Sequence, residues 1–362
     1  MLTDAFRDGN VGIPINYRTD GKLFNLRRLQ AKTKIMADII RDFLFADDCA
    51  LNAGTERDMQ LSVDKFSQAC TDFGLTISAK KTEVMHQPAP GAPFVEPNIT
   101  VNGEKLNVVH KFTYLGSTLA QNATIDEEVT TRIAKASSTF GRLRENVWNR
   151  RGISTETKLK VYRAVVLPTL LYGSETWTVY ARHFKKLNHF HTTRLRFLLN
   201  IKWHHKVPDT EVLERAGLSS IHTILMKSQL RWAGHVVRMS DERLPKRIFY
   251  GEPQQCNRSQ GGQKKRFKDT LKSSLKSFDI NHDRWEDSAR DRASWRSSIY
   301  SGARVCESTR TCAAVQKRQA RKDRANNPVP VAALIPCPHC NRTFRARIGL
   351  YSHLRTHSQQ RP

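Results

Sequence analysis

Residues 41–53 read RDFLFADDCALNA, with two adjacent carboxylates, Asp47 and Asp48, set between apolar runs on either side. Apolar, turn and apolar over so short a span predict a hairpin of strand, acidic turn and strand. Neighbouring like charges repel unless water or a cation lies between them. At the tip of a hairpin such a pair can hold Mg²⁺ against a triphosphate. An exposed Asp-Asp turn accounts for the same residues equally well, so this stretch alone leaves both readings open.

Outward from the hairpin, the pattern alternates between short strands and helices and then becomes helical. Thr55–Phe73 places Met59, Val63, Phe66 and Cys70 at helical spacing, with Gly74 as the stop. Leu75–Met85 (LTISAKKTEVM) predicts a strand, a Lys80-Lys81 turn and a second strand. Residues 87–97 form a proline-rich loop. Short strands are expected near 99–101 and 111–119, with Asn102-Gly103 as the turn between them. On the N-terminal side, 29–40 fits a strand or a short helix. From Ile125 onward the apolar period is helical over 125–147, 154–172, 184–199, 209–216, 221–239 and 263–278. Residues 301–334 are basic and poor in large apolar side chains, so a linker, helical only in part, is expected there. The fold class is α+β.

Charge narrows the partners. Lys and Arg number 60 against 34 acidic residues, a formal net charge of +26. That excess exceeds what solubility requires and points to RNA or DNA. No apolar run approaches the ~20 residues of a membrane span, and no secretory leader or lipidation signal is present, so no membrane partner is expected. Nuclear residence, otherwise cytoplasmic, follows from basic runs such as Lys264-Lys265-Arg266.

Residues 337–357 read CPHCNRTFRARIGLYSHLRTH. Cys337 and Cys340 suit a tight hairpin, and His353 and His357 lie one helical turn apart. Together they can close a tetrahedron around Zn²⁺. Phe344 and Leu350 supply a core too small to fold alone, so metal binding is the folding energy of the unit. All six positions match the C2H2 zinc-finger pattern, which implies a ββα fold. The positions that read bases in DNA-reading fingers correspond to Ala346, Gly349 and Ser352, all too small for bidentate base contacts. Arg342, Arg345, Arg347 and Arg355 can still hold phosphates. A non-specific anchor is expected, with protein binding as the alternative.

A second basic feature lies in 263–278. Phe267, Leu271, Leu275 and Phe278 form an apolar stripe at helical spacing. Lys264, Lys268, Lys272 and Lys276 form a parallel basic stripe, supported by Lys265 and Arg266, which is expected to face solvent or phosphates. Trp232 in QLRWAGHVVRM (229–239) reads as a core residue that could otherwise stack on a base. His204-His205 reads as a loop pair, and His189 and His191 lack an obvious third ligand.

Phe45-Ala46-Asp47-Asp48 resembles the aromatic-x-Asp-Asp box of reverse transcriptases. The order of motifs that follows is similar to the non-LTR (LINE-type) retrotransposon enzymes. GLTISAKKTEVM (74–85) is similar to the segment that sets a lysine near the incoming nucleotide, implying Lys80 or Lys81, of which Lys81 is the candidate catalytic residue beside Asp47 and Asp48. FTYLGSTL (112–119) resembles the primer-grip hairpin, and YGSETW (172–177), QLRWAGHVVRM and GGQKKRFKDTLKSSL (261–275) resemble the C-terminal extension, which often ends in one zinc finger.

The resemblance implies an upstream segment over 1–28, a partial palm over 29–120, a helical thumb over 121–215 and a basic helical extension over 216–300. A linker over 301–334 and the finger over 335–362 would follow. A polymerase palm needs a further carboxylate on an earlier strand. Asp4, Asp8, Asp20, Asp38 and Asp42 are the acids available, and none lies in a strand-like apolar run of the expected kind. The chain therefore reads as a C-terminal fragment. The expected function is zinc-dependent nucleic-acid binding of polymerase descent, with catalysis incomplete. The alternatives are an active reverse transcriptase with Mg²⁺ and dNTPs at Asp47 and Asp48 and a third ligand not identified, or a non-functional remnant.

Overall fold

The computed structural model describes residues 11–31, 33–89, 91–254, 265–326, 335–344 and 346–358. The chain divides into two compact units, one running to Glu307 and the other from Ser308. Helices and small sheets coexist, which makes the architecture α+β.

Four strands open the first unit: β1 (Ile13–Tyr17), β2 (Met36–Ile40), β3 (Asp42–Phe45) and β4 (Asp48–Leu51). β1 and β2 pair antiparallel from Ile13↔Ile40 to Tyr17↔Met36. Residues 29–40 thus divide between the end of a 3-10 turn, Leu26–Gln30, and a strand. β3 and β4 form the expected acidic hairpin, closed by the pair Phe45↔Asp48. Of its two loop residues, Ala46 has φ +53°. A positive φ at the first loop position and not at the second, Asp47, is the II′ pattern, whose twist matches that of the strands it joins.

Helix α1 (Glu56–Asp72) follows, its end capped where the Thr55 hydroxyl accepts the Asp58 amide at 3.1 Å. Val63, Ala69 and Cys70 are buried on its inner face. Four two-residue strands come next: β5 (Glu83–Val84), β6 (Thr100–Val101), β7 (Glu104–Lys105) and β8 (Asn107–Val108). β6 and β7 flank Asn102-Gly103, the turn expected there, with φ +51° and +83°. Residues 75–78 do not form the strand expected of them. Leu75 is 53% exposed, and no neighbouring strand pairs with this limb among the described residues. The stretch 111–119 folds back on itself as a hairpin of β9 (Lys111–Tyr114) and β10 (Ser117–Ala120). The core of this strand-built region is thin, resting on Val63, Ile99, Val101 and Leu106.

The helices that follow are α2 (Asp126–Arg142), α3 (Thr155–Val161), α4 (Leu167–Leu170), α5 (Ala181–Leu198), α6 (Asp209–Ala216) and α7 (Ile221–Val237). Between α3 and α4 one turn, Tyr162–Val166, is π-helical. Pro168 explains it: a ring nitrogen cannot donate to the preceding turn, and the ladder shifts register to pass it. After α7 come α8 (Leu244–Tyr250), the short strand β11 (Glu252–Pro253), α9 (Phe267–Ser277), α10 (Trp285–Arg290) and α11 (Arg292–Asn326). β11 pairs with β1, so the N-terminal strand lies in one sheet with a segment 238 residues further on, by the pair Ile15↔Pro253.

Two apolar cores hold the helices. The first gathers Val129, Ala136, Phe140, Tyr162, Leu187, Leu195 and Val212. The second gathers Leu230, Leu271, Leu275, Phe278, Trp285 and Trp295, with Leu23 from the chain start. Each such side chain fully buried contributes roughly 1.5–3 kcal/mol before the entropy of ordering is counted.

A buried ion pair fastens the β9–β10 hairpin to α2. Glu128 and Arg132 meet at 2.8 Å with side chains 3% and 6% exposed. Glu128 also accepts the Thr118 amide at 2.7 Å, while Arg132 donates to the Gly116 carbonyl and lies over the Tyr172 ring.

Residues 301–326, expected to be linker, are helical as part of α11. Ala, Arg, Gln and Lys dominate this stretch and favour helix strongly, while the scarcity of large apolar side chains leaves it mostly exposed. In the second unit, β12 (Ile335–Pro336) and β13 (Thr343–Phe344) form a hairpin followed by α12 (Arg347–Ser358).

Candidate metal centre and basic surface

In the second unit the Cys337 amide donates to the Arg342 carbonyl at 2.8 Å, which closes the hairpin under the two cysteines. The Cys337 sulfur accepts the His339 amide at 3.4 Å. α12 then brings His353 and His357 to the same side, four residues apart. The ligand atoms of Cys337, Cys340, His353 and His357 all lie within 4.8 Å of one another. Cys340 Sγ is 3.1 Å from His353 Nε2, Cys337 Sγ is 3.7 Å from His357 Nε2, and the two Nε2 atoms are 3.0 Å apart. Zinc bonds of ~2.0–2.3 Å give a tetrahedron with edges of about 3.3–3.8 Å, so the spacing and the S₂N₂ donor set both fit Zn²⁺. Phe344 lies under the site, its ring centroid 4.9 Å from that of His353. Desolvation and then the neighbouring His357 and Arg342 push His353 below the usual imidazole value, toward the neutral form that ligates a metal.

The acidic hairpin differs. Asp47 and Asp48 are exposed at its tip, and Phe45 is 61% exposed. Among the described residues no third His, Cys, Asp or Glu joins them in a metal-holding group. Asp42, on the same hairpin, is half-buried, and desolvation raises its carboxyl. Lys81 lies in the exposed turn that the Ser78 carbonyl closes by accepting the Lys81 amide at 3.0 Å. No ion pair connects it to Asp47 or Asp48 among the described residues. The β9–β10 hairpin does neighbour the acidic one, since the Tyr114 hydroxyl is pushed up by burial and then by Asp48, Cys49 and Asp42.

The basic stripe of α9 divides. Lys268 corrects the sequence reading: it is 9% exposed and points inward. Its ammonium donates to the Gly251 carbonyl at 2.8 Å and the Glu252 carboxylate at 2.9 Å. Desolvation lowers its pKa against the opposing pull of Glu252. Spacing placed Lys268 on the basic face, but β11 ends above that face and offers an acceptor and a counter-ion. Arg266 is likewise engaged, with Glu252 at 3.2 Å and Asp269 at 3.7 Å. Lys265 and Lys272 are exposed, lying over the rings of Tyr180 and Phe24 at 5.8 and 6.0 Å. Arg347 is exposed at the start of α12. Lys264 and Arg345 lie outside the described residues.

The other histidines find structural roles. His191 is buried and meets the Tyr162 hydroxyl at 2.9 Å, with its pKa driven down to about 4 by desolvation. His204 and His205 sit on an exposed 3-10 turn. Trp232 is partly buried, edge-on to Phe249 and Phe267. What the sequence did not reveal is a meeting of Arg231 and His235 on α7, and Arg238 just after it, with Arg292 and Arg296 on α11 around one cavity. They are separated by more than fifty residues, and the one local hint was Gly234 between Trp232 and His235.

No protein-family model and no solved structure matches the chain. Over 264 residues it is 25% identical to a transposon-derived protein of Caenorhabditis elegans, a match covering 70% of this chain and 93% of that protein. It is also 26% identical over 116 residues to the RNA-directed DNA polymerase from the mobile element jockey of Drosophila funebris. The jockey polymerase of Drosophila melanogaster matches over 155 residues at 23% identity. The chain spans 13% and 17% of the length of these two polymerases. It is thus related in sequence to non-LTR retrotransposon RNA-directed DNA polymerases. Among the described residues no helix is long and apolar enough to cross a membrane.

Proposed function

We propose that this chain is a zinc-binding, nucleic-acid-binding protein of retrotransposon polymerase descent. The convergence of Cys337, Cys340, His353 and His357 at tetrahedral spacing carries the reading. Zinc bound there supplies the folding energy of the hairpin and helix, and leaves Arg347 presented at the start of α12. The small side chains at Ala346, Gly349 and Ser352 favour phosphate contact over base reading. A net charge of +26 and the relatedness to jockey polymerases support RNA or DNA as the partner.

The test uses the full chain, purified with zinc and stripped by chelation, on labelled single-stranded and duplex oligonucleotides across a salt series. Bound zinc that resists mild chelation is expected, with affinity that falls steeply as salt rises. A chain that takes up no zinc, or binding indifferent to salt, sinks the reading.

A second reading, RNA-templated DNA synthesis, draws on the jockey similarity and on the II′ hairpin that presents Asp47 and Asp48. In it those carboxylates would hold Mg²⁺ against a dNTP. Primer extension on an RNA template, beside Asp47→Asn/Asp48→Asn, decides it: extension lost in the double variant establishes synthesis, and no extension by the parent chain removes it.

A further inference from the structure

α7 and the first turn of α11 meet at Gly234. A Cβ added there would lie 2.1 Å from Trp295 Nε1, closer than two such atoms can approach. Glycine therefore lets the indole lie flat on the helix. Trp295 is 1% exposed and donates to the Leu230 carbonyl at 3.1 Å. Asp291 fixes the start of α11, its carboxylate oxygens accepting the Ala293 and Ser294 amides at 3.1 Å each. The seam between the two helices is rigid, and beside it opens a cavity of about 600 Å³.

Among the described residues four guanidiniums line that cavity: Arg231 from α7, Arg238 from the residue that ends it, and Arg292 and Arg296 from α11. Trp232 and His235 complete the α7 side. Glu175 is the single carboxylate in the lining among the described residues. Arg238 is anchored by donating to the Ala289 carbonyl at 2.5 Å. Arg231, Arg292 and Arg296 are exposed and make no hydrogen bond or ion pair among the described residues. Four like charges gathered around one carboxylate repel, and that repulsion is relieved when a further anion enters. Guanidinium forks match phosphate oxygens in pairs. Trp232 is braced from behind, edge-on to Phe249 at 5.7 Å and Phe267 at 5.5 Å, so it can stay in the cavity wall as a platform. An indole among arginines suits a base attached to its phosphate. Duplex pairing and stacking would hide that base, so an unpaired strand fits and a duplex does not. The volume lies within the roughly 300–1,000 Å³ of ordinary ligand sites.

We propose that this cavity binds single-stranded nucleic acid, with phosphates on Arg231, Arg292 and Arg296 and one unpaired base against Trp232. The proposal rests on the nucleic-acid-binding reading above, but on a different part of the molecule from the Cys/His cluster.

The experiment measures fluorescence anisotropy of labelled U₁₂, dT₁₂ and a 12-base-pair duplex with the zinc-loaded full chain, across a salt series. Arg231→Gln/Arg296→Gln removes two exposed charges that make no hydrogen bond or ion pair among the described residues. Arg150→Gln/Arg151→Gln removes two elsewhere on the surface. Glu175→Gln removes the lone carboxylate. Circular dichroism checks that each variant is folded. The cavity pair is expected to lose roughly tenfold or more in single-strand affinity, and its log–log salt slope to fall by about 1.4. The control pair should lose less than about threefold. Glu175→Gln should bind about two- to fivefold tighter, a gain that misfolding cannot imitate. Preference for U₁₂ or for dT₁₂ supports the site and tells whether it favours the RNA or the DNA strand. If the parent chain binds but the cavity pair behaves as the control pair does, or duplex binding is equally sensitive, the cavity proposal fails while the zinc-dependent binding reading stands. If the parent chain binds no oligonucleotide, both fall.

Discussion

Among the described residues two hairpins present side chains suited to a metal, and they end differently. The β3–β4 hairpin holds Asp47 and Asp48 at a well-formed tip, in water, with no third His, Cys, Asp or Glu brought to meet them among the described residues. The β12–β13 hairpin holds Cys337 and Cys340, and α12 delivers His353 and His357 onto them. A hairpin supplies two donors, while a coordination sphere needs a second element packed against it. Where that element is encoded a few residues downstream, as in α12, the site assembles locally. Where it must come from a distant strand, the hairpin by itself does not make one.

The largest effect expected from this contrast is loss of the second hairpin's metal. Cys337→Ser, or chelation, should abolish the fold of 335–358, because structural zinc supplies on the order of 10–16 kcal/mol in such units. Hydrogen exchange over that segment, with metal analysis, measures it. Protection that survives without zinc would break the comparison.

Next comes a carboxylate that is buried rather than left in water. Glu128→Gln should destabilise the first unit by about 3–5 kcal/mol, since Arg132 would be left charged and unpaired at 6% exposure. Chemical denaturation of the full chain reads this. A loss below ~1 kcal/mol would mean the pair is far better solvated than its burial indicates.

A third effect concerns pH. Burial holds His191 near 4, against about 6.5 in the unfolded chain, so the folded state favours the neutral ring. Stability is therefore full above about pH 6.5 and declines as pH falls toward 4, by roughly 3 kcal/mol in all. Below that, the Asp126 carboxylate, held at about 2 chiefly by Arg182, loses its pairing as it protonates. Melting curves between pH 7.5 and 4.5 should show the first decline, and His191→Gln should flatten it.

The smallest effect belongs to the acidic tip. Asp47→Asn/Asp48→Asn should change stability by less than about 0.5 kcal/mol, as exposed substitutions do. Calorimetric titration with Mg²⁺ should show at most weak, salt-sensitive binding that the double variant removes. Tight Mg²⁺ binding by the parent chain would mean that the two hairpins are more alike than their surroundings indicate.

The Cys/His cluster was legible almost residue by residue, because all its ligands lie within 21 residues and the spacing dictates the geometry. The acidic hairpin was legible for the same reason, as were the stops of α1 and α6 and most helix positions. Local periodicity and turn chemistry determine these features. The full extent of helix over 301–326 was not legible, because a segment can be helical on propensity alone without burying an apolar face.

The tertiary structure decided which charges face water. Lys268 belongs to a basic stripe by spacing, yet β11 brings Glu252 and the Gly251 carbonyl over it and turns it into a buried strut. The pairing of β1 with β11 and the meeting of α7 with α11 join residues far apart in the chain. By itself the sequence determined the elements, the zinc-type ligand set and the excess of positive charge. Packing decided where that charge is spent internally and where arginines gather around a cavity, because pairing and desolvation depend on neighbours that no local pattern names.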